Sequence, residues 1–283
     1  MLTTLEVVQR SAAFLESKGV ENARLNAEWL IAAALGLDRM KLYLQFDRPL
    51  GEQQLATMRG YVARRAKREP LQYILGTVPF HELTLKVDRR ALIPRPETEQ
   101  LVELILDSVA ENDAQLRILD LGTGTGAIAL ALAFALPRAE IVAVDCSESA
   151  LELAKENAFF CGLQNRVEFE LSRWYDSLGE TKPFDIIVSN PPYLTEEEMT
   201  TAEPEVRLFE PRGALVAADE GLADLHEILE GAFPRLVSGG SVWLETGIAH
   251  RDALVECAHR IGYAAAKGHD DWSGRPRFVE TRK

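Results

Sequence analysis

The sequence predicts an α/β protein with a doubly wound, mostly parallel sheet and a small all-α domain before it. After residue 115, strand-like apolar runs alternate with helical segments, which is typical of a parallel sheet covered by helices on both faces. Before residue 86, apolar residues instead recur at helical spacing. A glycine-rich loop joins the first strand of the later part to its first helix, and a loop of that kind indicates a ligand site.

Helices are predicted at the start of the chain, because apolar residues recur at helical spacing within 5–15, 29–36 and 55–62. The third of these helices runs into the basic run 64–68, which we expect to be a solvated helix face. It ends at Glu69, because the proline that follows disfavours helical geometry in the residue before it.

A short strand or hairpin is predicted near residues 80–92, where Leu83, Leu85 and Val87 alternate with polar residues. This segment would link the two parts of the chain. We place the domain boundary near residue 85, so that residues 1–85 form the helical domain and residues 86–283 form the α/β domain.

The α/β domain is predicted from alternating strands and helices. The predicted strands are 116–121, 140–144, 167–171, 185–189 and 241–245, and the predicted helices are 127–136, 148–160 and 222–236. In open sheets of this kind, ligands bind beyond the carboxyl ends of the strands, where the strand order reverses. If the first and fourth strands are neighbours, the loops that follow them face one crevice.

The charge of the chain is unevenly distributed. The net charge of −13 combines a balance of +2 over residues 1–85 with −15 over the remainder. Nucleic-acid binding usually leaves a basic footprint, so the acidic main body argues against a direct nucleic-acid partner. An acidic surface is compatible with a cationic ligand or a basic protein partner, and it also keeps a protein soluble.

The chain shows no pattern of a membrane or secreted protein. Its longest apolar run, Ala127–Leu136, is about half the ~20 residues that a membrane span needs, and its start lacks a secretory signal. Cys146, Cys161 and Cys257 show no C-x-x-C spacing, which argues against zinc and disulfides. We therefore expect a cytoplasmic protein that needs no metal and, for want of an assembly segment, a monomer.

The loop after the first predicted strand reads D-L-G-T-G-T-G over Asp120–Gly126. Glycines let the backbone turn sharply and approach a ligand closely. Asp145 ends the next predicted strand, where an acidic residue commonly accepts hydrogen bonds from ribose hydroxyls. The pattern also satisfies the dinucleotide fingerprint, so a nicotinamide dehydrogenase is an alternative at this point. Asp120, two residues before the first glycine, favours an S-adenosylmethionine site.

The fourth predicted strand runs straight into Asn190-Pro191-Pro192-Tyr193, and this motif favours methyl transfer to a planar nitrogen. The nitrogen of an amide or aromatic amine has a delocalised lone pair that must be aimed at the methyl carbon. The Asn190 side-chain oxygen and the Pro191 carbonyl can accept from its two N–H bonds, and proline holds such carbonyls stiffly. Tyr193 offers a flat face. Catalysis would rest on positioning and electrostatics, without a strong base.

These motifs resemble those of the bacterial release factor protein-(glutamine-N5) methyltransferases of the HemK/PrmC type. The matching segments are Arg24–Leu30, Glu69–Gly76, Leu92–Glu99, Asp120–Gly126, Asn190–Tyr193 and Phe209–Pro211. The Asn-Pro-Pro-Tyr motif is shared with adenine-N6 DNA methyltransferases, whereas the I-P-R-P-E-T segment and the helical N-terminal part are more specific. The resemblance covers nearly the whole chain and implies a class I, Rossmann-like methyltransferase domain.

The resemblance also implies a substrate, a cofactor and site residues. The substrate is the glutamine of the Gly-Gly-Gln motif in class 1 peptide chain release factors, which the N-terminal helices would grip, and the products include S-adenosylhomocysteine. Contacts to S-adenosylmethionine would come from Gly122, Thr123, Gly124, Thr125, Gly126, Asp145, Trp174 and Asn190. The glutamine would be held by the catalytic Asn190, Pro191, Pro192 and Tyr193, with Arg95 and Glu97 shaping the cleft. Arg173 departs from the family, which often has an acidic residue there, and Trp174 has two readings, an adenine contact or plain packing.

Other functions share part of this pattern. A ribosomal-protein glutamine methyltransferase would use the same catalytic motif, and so would a nucleic-acid amino-methyltransferase, which the acidic main body argues against. A non-catalytic adapter for release factors or ribosomes would not need both an intact glycine loop and an intact Asn190–Tyr193 motif.

Overall fold

The computed structural model describes residues 2–109, 115–179 and 182–283. The chain divides into two compact units. One holds the chain up to Thr77 together with Glu203–Phe209, and the other holds Val78–Ala202 and Glu210–Lys283. A short segment from late in the chain therefore belongs to the helical unit. That residues 1–85 act as one functional domain stays a prediction.

Helices and strands are numbered here in chain order. The helices are α1 Thr4–Ser17, α2 Ala23–Leu35, α3 Arg39–Tyr43, α4 Glu52–Ala66, α5 Leu71–Leu75, α6 Pro96–Ser108, α7 Ala127–Ala135, α8 Glu148–Phe160, α9 Glu196–Thr201, α10 Pro204–Phe209, α11 Ala223–Arg235 and α12 Arg251–Ile261. The strands are β1 Thr77–Phe80, β2 Leu83–Lys86, β3 Arg117–Leu121, β4 Glu140–Asp145, β5 Val167–Leu171, β6 Phe184–Ser189, β7 Leu236–Glu245, β8 Ala265–Asp270 and β9 Pro276–Arg282. Two short 3-10 turns lie at Arg212–Ala214 and Asp219–Gly221.

The helical unit is built from α1–α5 and α10. One cluster of its buried apolar residues comes from α1, α2 and α4 with Leu42 and Leu50, and a second cluster adds Val20 and Ile74 to residues of the same three helices. Helix α1 is capped at its N-terminus by Thr3, whose side chain accepts from the backbone N–H of Glu6 in a capping box. Helix α2 is capped at its C-terminus by Gly36, which has the left-handed conformation that glycine adopts without strain.

The expectation that the basic run 64–68 is a solvated helix face holds for Arg64 and Lys67, which are exposed, but was wrong for Arg65 and Arg68. Arg65 is buried, and its guanidinium donates to Asn26 Oδ1 at 2.7 Å and pairs with Glu205 at 2.7 Å. Arg68 pairs with the same carboxylate at 2.7 Å. The run therefore binds the α10 segment to the helical unit, a contact that no local pattern in the sequence could indicate.

The second unit contains a seven-stranded sheet of order β5-β4-β3-β6-β7-β9-β8. Strands β3 to β7 pair in parallel, and β9 runs antiparallel to its neighbours β7 and β8. Helix α7 is apolar on all sides and buried from Ala127 to Ala133, so the longest apolar run of the sequence is a core helix. The predicted α/β class and the mostly parallel sheet are confirmed. Within the described residues no helix is long and apolar enough to cross a membrane.

Several elements escaped the sequence patterns. Strand β7 begins at Leu236, five residues before the predicted start, and its pairing with β6 has a register irregularity before Ser241. Strand β8 reads A-A-K-G-H-D and is half exposed, so it carries no apolar alternation. The two short strands β1 and β2 pair within residues 77–86, earlier than the predicted hairpin near residues 80–92.

Two glycines within helices give a matched test of packing. A β-carbon at Gly231 in α11 would collide with the ring of Tyr175, whereas a β-carbon at Gly60 in α4 would meet nothing within 4 Å. We expect Gly231→Ala to lower the free energy of unfolding by roughly 1–3 kcal/mol. Gly60→Ala should raise it by up to about 1 kcal/mol, since alanine is the better helix former. Denaturant unfolding measures both, and a Gly231→Ala variant as stable as Gly60→Ala would contradict this account of the packing.

Candidate active site

A crevice opens where the strand order reverses between β4, β3 and β6. β3 and β6 are parallel neighbours, with Leu121 opposite Ser189, and the Ser189 hydroxyl donates to the Leu121 carbonyl at 2.7 Å. The loops that follow these strands therefore leave the sheet side by side. This is the condition under which the sequence predicts that the two loops face one crevice. They line a cavity of about 430 Å³. Cavities of this size hold small-molecule ligands.

The glycine loop forms one wall of the cavity. Gly122 and Gly124 have φ of 72° and 55°, a region that side chains with a β-carbon rarely adopt. The backbone N–H groups of Gly122 and Thr123 both donate to the Val144 carbonyl at 2.9 Å, which ties the loop to the end of β4. The sharp turn lets the backbone itself face the cavity.

Asp145 lies at the end of β4 on the same wall. Its carboxylate accepts from the Gly124 N–H at 2.9 Å and from the Ser147 N–H at 2.8 Å. Burial raises the pKa of this carboxyl. The two N–H donors fix its position at the cavity, where remaining lone pairs are available to hydroxyl donors.

Asp120 holds the loop from behind. It is fully buried, and one carboxyl oxygen accepts from the Thr123 hydroxyl at 2.6 Å and from the Ala129 N–H at 3.2 Å. The other oxygen has no hydrogen-bond partner among the described residues. Burial raises the pKa of Asp120 to about 7. Asp120 does not line the cavity, and it supports the glycine loop through these hydrogen bonds.

Trp174 closes the cavity next to the glycine loop. A β-carbon on Gly122 would lie 3.3 Å from its ring, so the ring packs on the loop as well as lining the cavity. Its indole N–H donates to Asp224 at 3.2 Å. The neighbouring Arg173 pairs with Glu227 at 2.6 Å and lies 3.8 Å from Asp224. The positive charge that replaces an acidic residue here is thus neutralised by α11.

The Asn-Pro-Pro-Tyr loop forms the opposite wall. The Asn190 side-chain nitrogen donates to the Thr98 hydroxyl at 3.1 Å, and that hydroxyl donates to Glu245 at 2.7 Å. The second oxygen of Glu245 accepts from the Tyr193 hydroxyl at 3.2 Å. Because the Asn190 nitrogen is engaged as a donor, its side-chain oxygen is left as the acceptor.

Glu245 and Thr98 are the residues at this wall that sequence reasoning missed. Glu245 is 1% exposed at the end of β7, and burial raises its pKa to about 7. Burial also raises the pKa of Tyr193, which keeps the phenol a hydrogen-bond donor. A glutamate at the end of a predicted apolar strand was the available signal, since an uncompensated carboxyl is rarely buried.

Arg95 and Glu210 belong to one buried contact. The Arg95 guanidinium donates to Glu210 at 2.5 Å, and the second carboxylate oxygen accepts from the Ile93 N–H at 3.1 Å. The Glu210 side chain is 1% exposed, so its carboxylate is buried in this contact. It fixes the segment that leads into α6.

The predicted site residues fall into two groups. Those that line the cavity are Arg95, Gly122, Thr123, Gly124, Thr125, Asp145, Trp174, Asn190, Pro191 and Pro192. Glu97, Gly126 and Tyr193 do not line it. Gly126 instead packs α7, since a β-carbon there would lie 3.1 Å from Leu130. Over the described ranges, no group of three or more histidine, cysteine or acidic side chains is arranged to hold a metal ion.

Two family models match the chain, the Methyltransferase domain over residues 112–250 and the PrmC N-terminal domain over residues 6–76. With the crevice and glycine loop described above, they define an S-adenosylmethionine-dependent methyltransferase of Rossmann-like fold. The release factor glutamine methyltransferase of Geobacter sulfurreducens is 43% identical over 99% of this chain and 96% of its own length. That of Vibrio cholerae is 40% identical over the same shares. The chain belongs to the release factor glutamine methyltransferase family.

Solved structures agree on the fold. A 16S rRNA methyltransferase of Thermus thermophilus, in complex with AdoMet and guanosine, matches with a TM-score of 0.53 at 20% identity, over 73% of this chain and 49% of that one. A methyltransferase of Pyrococcus furiosus matches with a TM-score of 0.51 at 20% identity, over 71% and 89%. At this identity the likeness concerns the fold alone.

The two buried carboxyls predict a pH dependence of stability. Unfolded carboxyls titrate near about pH 4, so the folded chain holds protons on Asp120 and Glu245 that the unfolded chain has released between about pH 4 and 7. Their contribution to stability is full below that range and is lost as the pH rises through 7. Asp88 has the opposite effect, because its hydrogen bond with Arg90 lowers its pKa. Its contribution to stability is present above the pKa of an unfolded carboxyl and is lost as the pH falls below it.

We therefore expect the melting temperature to rise as the pH falls from 8 to 5.5. Glu245→Gln should show a smaller rise, because glutamine does not titrate. Thermal unfolding followed by circular dichroism at closely spaced pH values measures both slopes. Equal slopes for the two proteins would show that Glu245 does not take up a proton on folding in this range.

Proposed function

We propose that this protein transfers a methyl group from S-adenosylmethionine to the side-chain amide nitrogen of the glutamine in the Gly-Gly-Gln motif of class 1 peptide chain release factors. Its family membership extends over both the helical and the α/β parts of the chain. The observation that carries the chemistry is the Asn190 side chain, held with its acceptor oxygen free at a cavity that the glycine loop also lines.

S-Adenosylmethionine fits the wall formed by the glycine loop. The loop backbone, Asp145 and Trp174 provide close approach, a fixed carboxylate and an aromatic face at one cavity. A carboxylate at the end of the second parallel strand is suited to ribose hydroxyls. We propose that Gly122–Gly126, Asp145, Trp174 and Asn190 hold it, with Gly126 acting through the packing of α7. When bound, it supplies a methyl group on a positively charged sulfur.

The opposite wall would hold the glutamine amide. The Asn190 side-chain oxygen and the Pro191 backbone carbonyl would accept from its two N–H bonds, and the rigid proline pair keeps these acceptors in place. This leaves the nitrogen lone pair facing the cavity. The bond between that nitrogen and the methyl carbon would form as the methyl–sulfur bond breaks, and S-adenosylhomocysteine would leave with the electron pair of that bond. The methylated amide would regain neutrality by losing a proton to water. The chain contributes positioning, which is a large part of the rate in reactions of this kind.

The remaining predicted residues would shape the cleft. Arg95 lines the cavity and is fixed by Glu210, so it can border the substrate peptide. Pro192 lines the cavity beside Pro191, and Tyr193 supports the loop through Glu245. Glu97 lies in the first turn of α6, next to Thr98, and would act on the cleft from there.

We assign recognition of the release factor to the helical domain, residues 1–85. The family model for the N-terminal part covers residues 6–76 and is separate from the methyltransferase domain model over residues 112–250, which supports a separate role for the helices. We further propose a cytoplasmic, metal-independent monomer. Cys146, Cys161 and Cys257 are all free, which suits a reducing compartment.

The test is methyl transfer from S-adenosylmethionine to purified, unmodified class 1 release factor, followed by peptide mass spectrometry. We expect a gain of one methyl group on the glutamine of the Gly-Gly-Gln peptide. A protein that binds S-adenosylmethionine but leaves that peptide unmodified would refute the proposed substrate. Ribosomal proteins and nucleic acid, tested alongside, would then reveal the alternative acceptors.

Asn190→Ala should retain the fold and S-adenosylmethionine binding but lose most methyl transfer, because one of the two amide acceptors is removed. Loss of one such catalytic contact typically costs roughly 10²–10³ in rate. Asn165→Ala, at an exposed asparagine before β5, is the matched control. Turnover near that of the wild type in Asn190→Ala would exclude the mechanism.

A further inference from the structure

We propose that Thr98 and Glu245 are positioning residues that fix which end of the Asn190 carboxamide faces the substrate. This inference rests on the proposed function of Asn190 as an acceptor. Thr98 lies in the first turn of α6 and Glu245 at the end of β7, and both are buried. Neither is assigned a role by the catalytic motif.

The need for such a device follows from the asparagine itself. Its carboxamide presents a donor nitrogen on one side and an acceptor oxygen of similar size on the other. A rotation of half a turn exchanges them and would place N–H groups against the N–H groups of the substrate amide. The packing of the side chain alone discriminates poorly between the two, so the hydrogen-bond partner on the inner side must decide.

The inner partner is a hydroxyl whose direction is set by a carboxylate. Thr98 Oγ1 donates to Glu245 at 2.7 Å, which leaves only its lone pairs to face Asn190. It can then accept from the Asn190 nitrogen, at 3.1 Å, but cannot donate to the Asn190 oxygen. Above about pH 7, where Glu245 is ionised, its carboxylate has no hydrogen to give, so the Asn190 oxygen is turned to the cavity.

Glu245 also accepts a hydrogen bond from the other end of the catalytic motif. Its second oxygen accepts from the Tyr193 hydroxyl at 3.2 Å, so one carboxylate holds the first and last residues of Asn190–Tyr193. The charged groups that influence it are Arg277 from β9, which lowers its pKa, and Glu97 from α6, which raises it, both less than burial does. The buried carboxylate is thus retained at an energetic cost that a packing role would not require.

Glu245→Gln is the sharpest variant, because glutamine keeps the shape of glutamate and permits the hydrogen bonds through Thr98 to run in the reverse direction. Its amide could donate to Thr98 Oγ1, which could then donate to the Asn190 oxygen and turn the Asn190 nitrogen to the cavity. We therefore expect Glu245→Gln to lower kcat for methyl transfer to release factor, with S-adenosylmethionine affinity changed by less than about twofold, since Glu245 does not line the cavity.

Thr98 gives a pair of variants that separates the hydroxyl from its packing. Thr98→Val removes the hydroxyl and keeps the branched shape, whereas Thr98→Ser keeps the hydroxyl. We expect Thr98→Val to lower kcat about 10- to 100-fold, the scale of a misplaced catalytic group. Thr98→Ser should recover activity to within about threefold. Thr281→Val, at a buried threonine on β9, is the matched control and should retain wild-type kcat. Equal loss in Thr98→Ser and Thr98→Val would overturn the proposal.

A double-mutant cycle then tests whether Thr98 acts through Asn190. Once Asn190→Ala has removed the carboxamide, Thr98→Val should cause no further loss of kcat, because there is nothing left to orient. Independent structural roles would instead multiply the two losses. Full multiplication of the losses would overturn the proposal.

A readout that needs no turnover keeps this inference separate from the proposed function. In ¹⁵N-labelled protein, the side-chain NH₂ of Asn190 should exchange slowly with water in the wild type and in Thr98→Ser. It should exchange rapidly in Thr98→Val and in Glu245→Gln. If the wild type fails to methylate release factor, the proposed function falls, while these exchange rates still decide the orientation. Unchanged exchange in Thr98→Val would overturn the inference even if methylation is confirmed.

Discussion

The parallel pairing of β3 with β6 is the constraint on which the rest of the site depends. The chain makes β4 and β5 on one side of β3 and then returns to place β6 on the other, so the loops after β3 and β6 leave the sheet together. Loop positions at the carboxyl ends of parallel strands are fixed by the sheet and not by their own sequence. A glycine loop and an Asn-Pro-Pro-Tyr loop, 64 residues apart between Gly126 and Asn190, thereby become the two walls of one cavity.

Behind each wall stands a buried carboxyl. Asp120 ties the glycine loop to the start of α7, and Glu245 ties Asn190–Tyr193 to α6 through Thr98. Carboxyls in such places are costly because burial disfavours the charged form, and the pKa of each is raised to about 7. Each carboxyl fixes a turn that lines the cavity through hydrogen bonds that an apolar residue could not make.

The helical unit is completed from within the α/β part of the sequence. The chain leaves the second unit after Ala202 and returns to it at Glu210, and the intervening segment is bound by Arg65 and Arg68 through Glu205. Glu210, the first residue after this excursion, then anchors the cleft residue Arg95. Glu205, which binds the basic run, and Glu210, which binds Arg95, therefore lie on one short stretch of chain. Neither contact is indicated by a pattern in the sequence.

The sequence by itself determined the features that are local. Alternation and helical spacing located β3 to β6 and their helices, and the glycine run and Asn190–Tyr193 predicted the cofactor type and the acceptor chemistry. Only the tertiary structure decided which side chains meet. Thr98 lies 92 residues before Asn190 and 147 residues before Glu245, yet hydrogen bonds join all three. Such contacts depend on strand order and register, which arise when distant strands pair and leave no periodic trace in the chain.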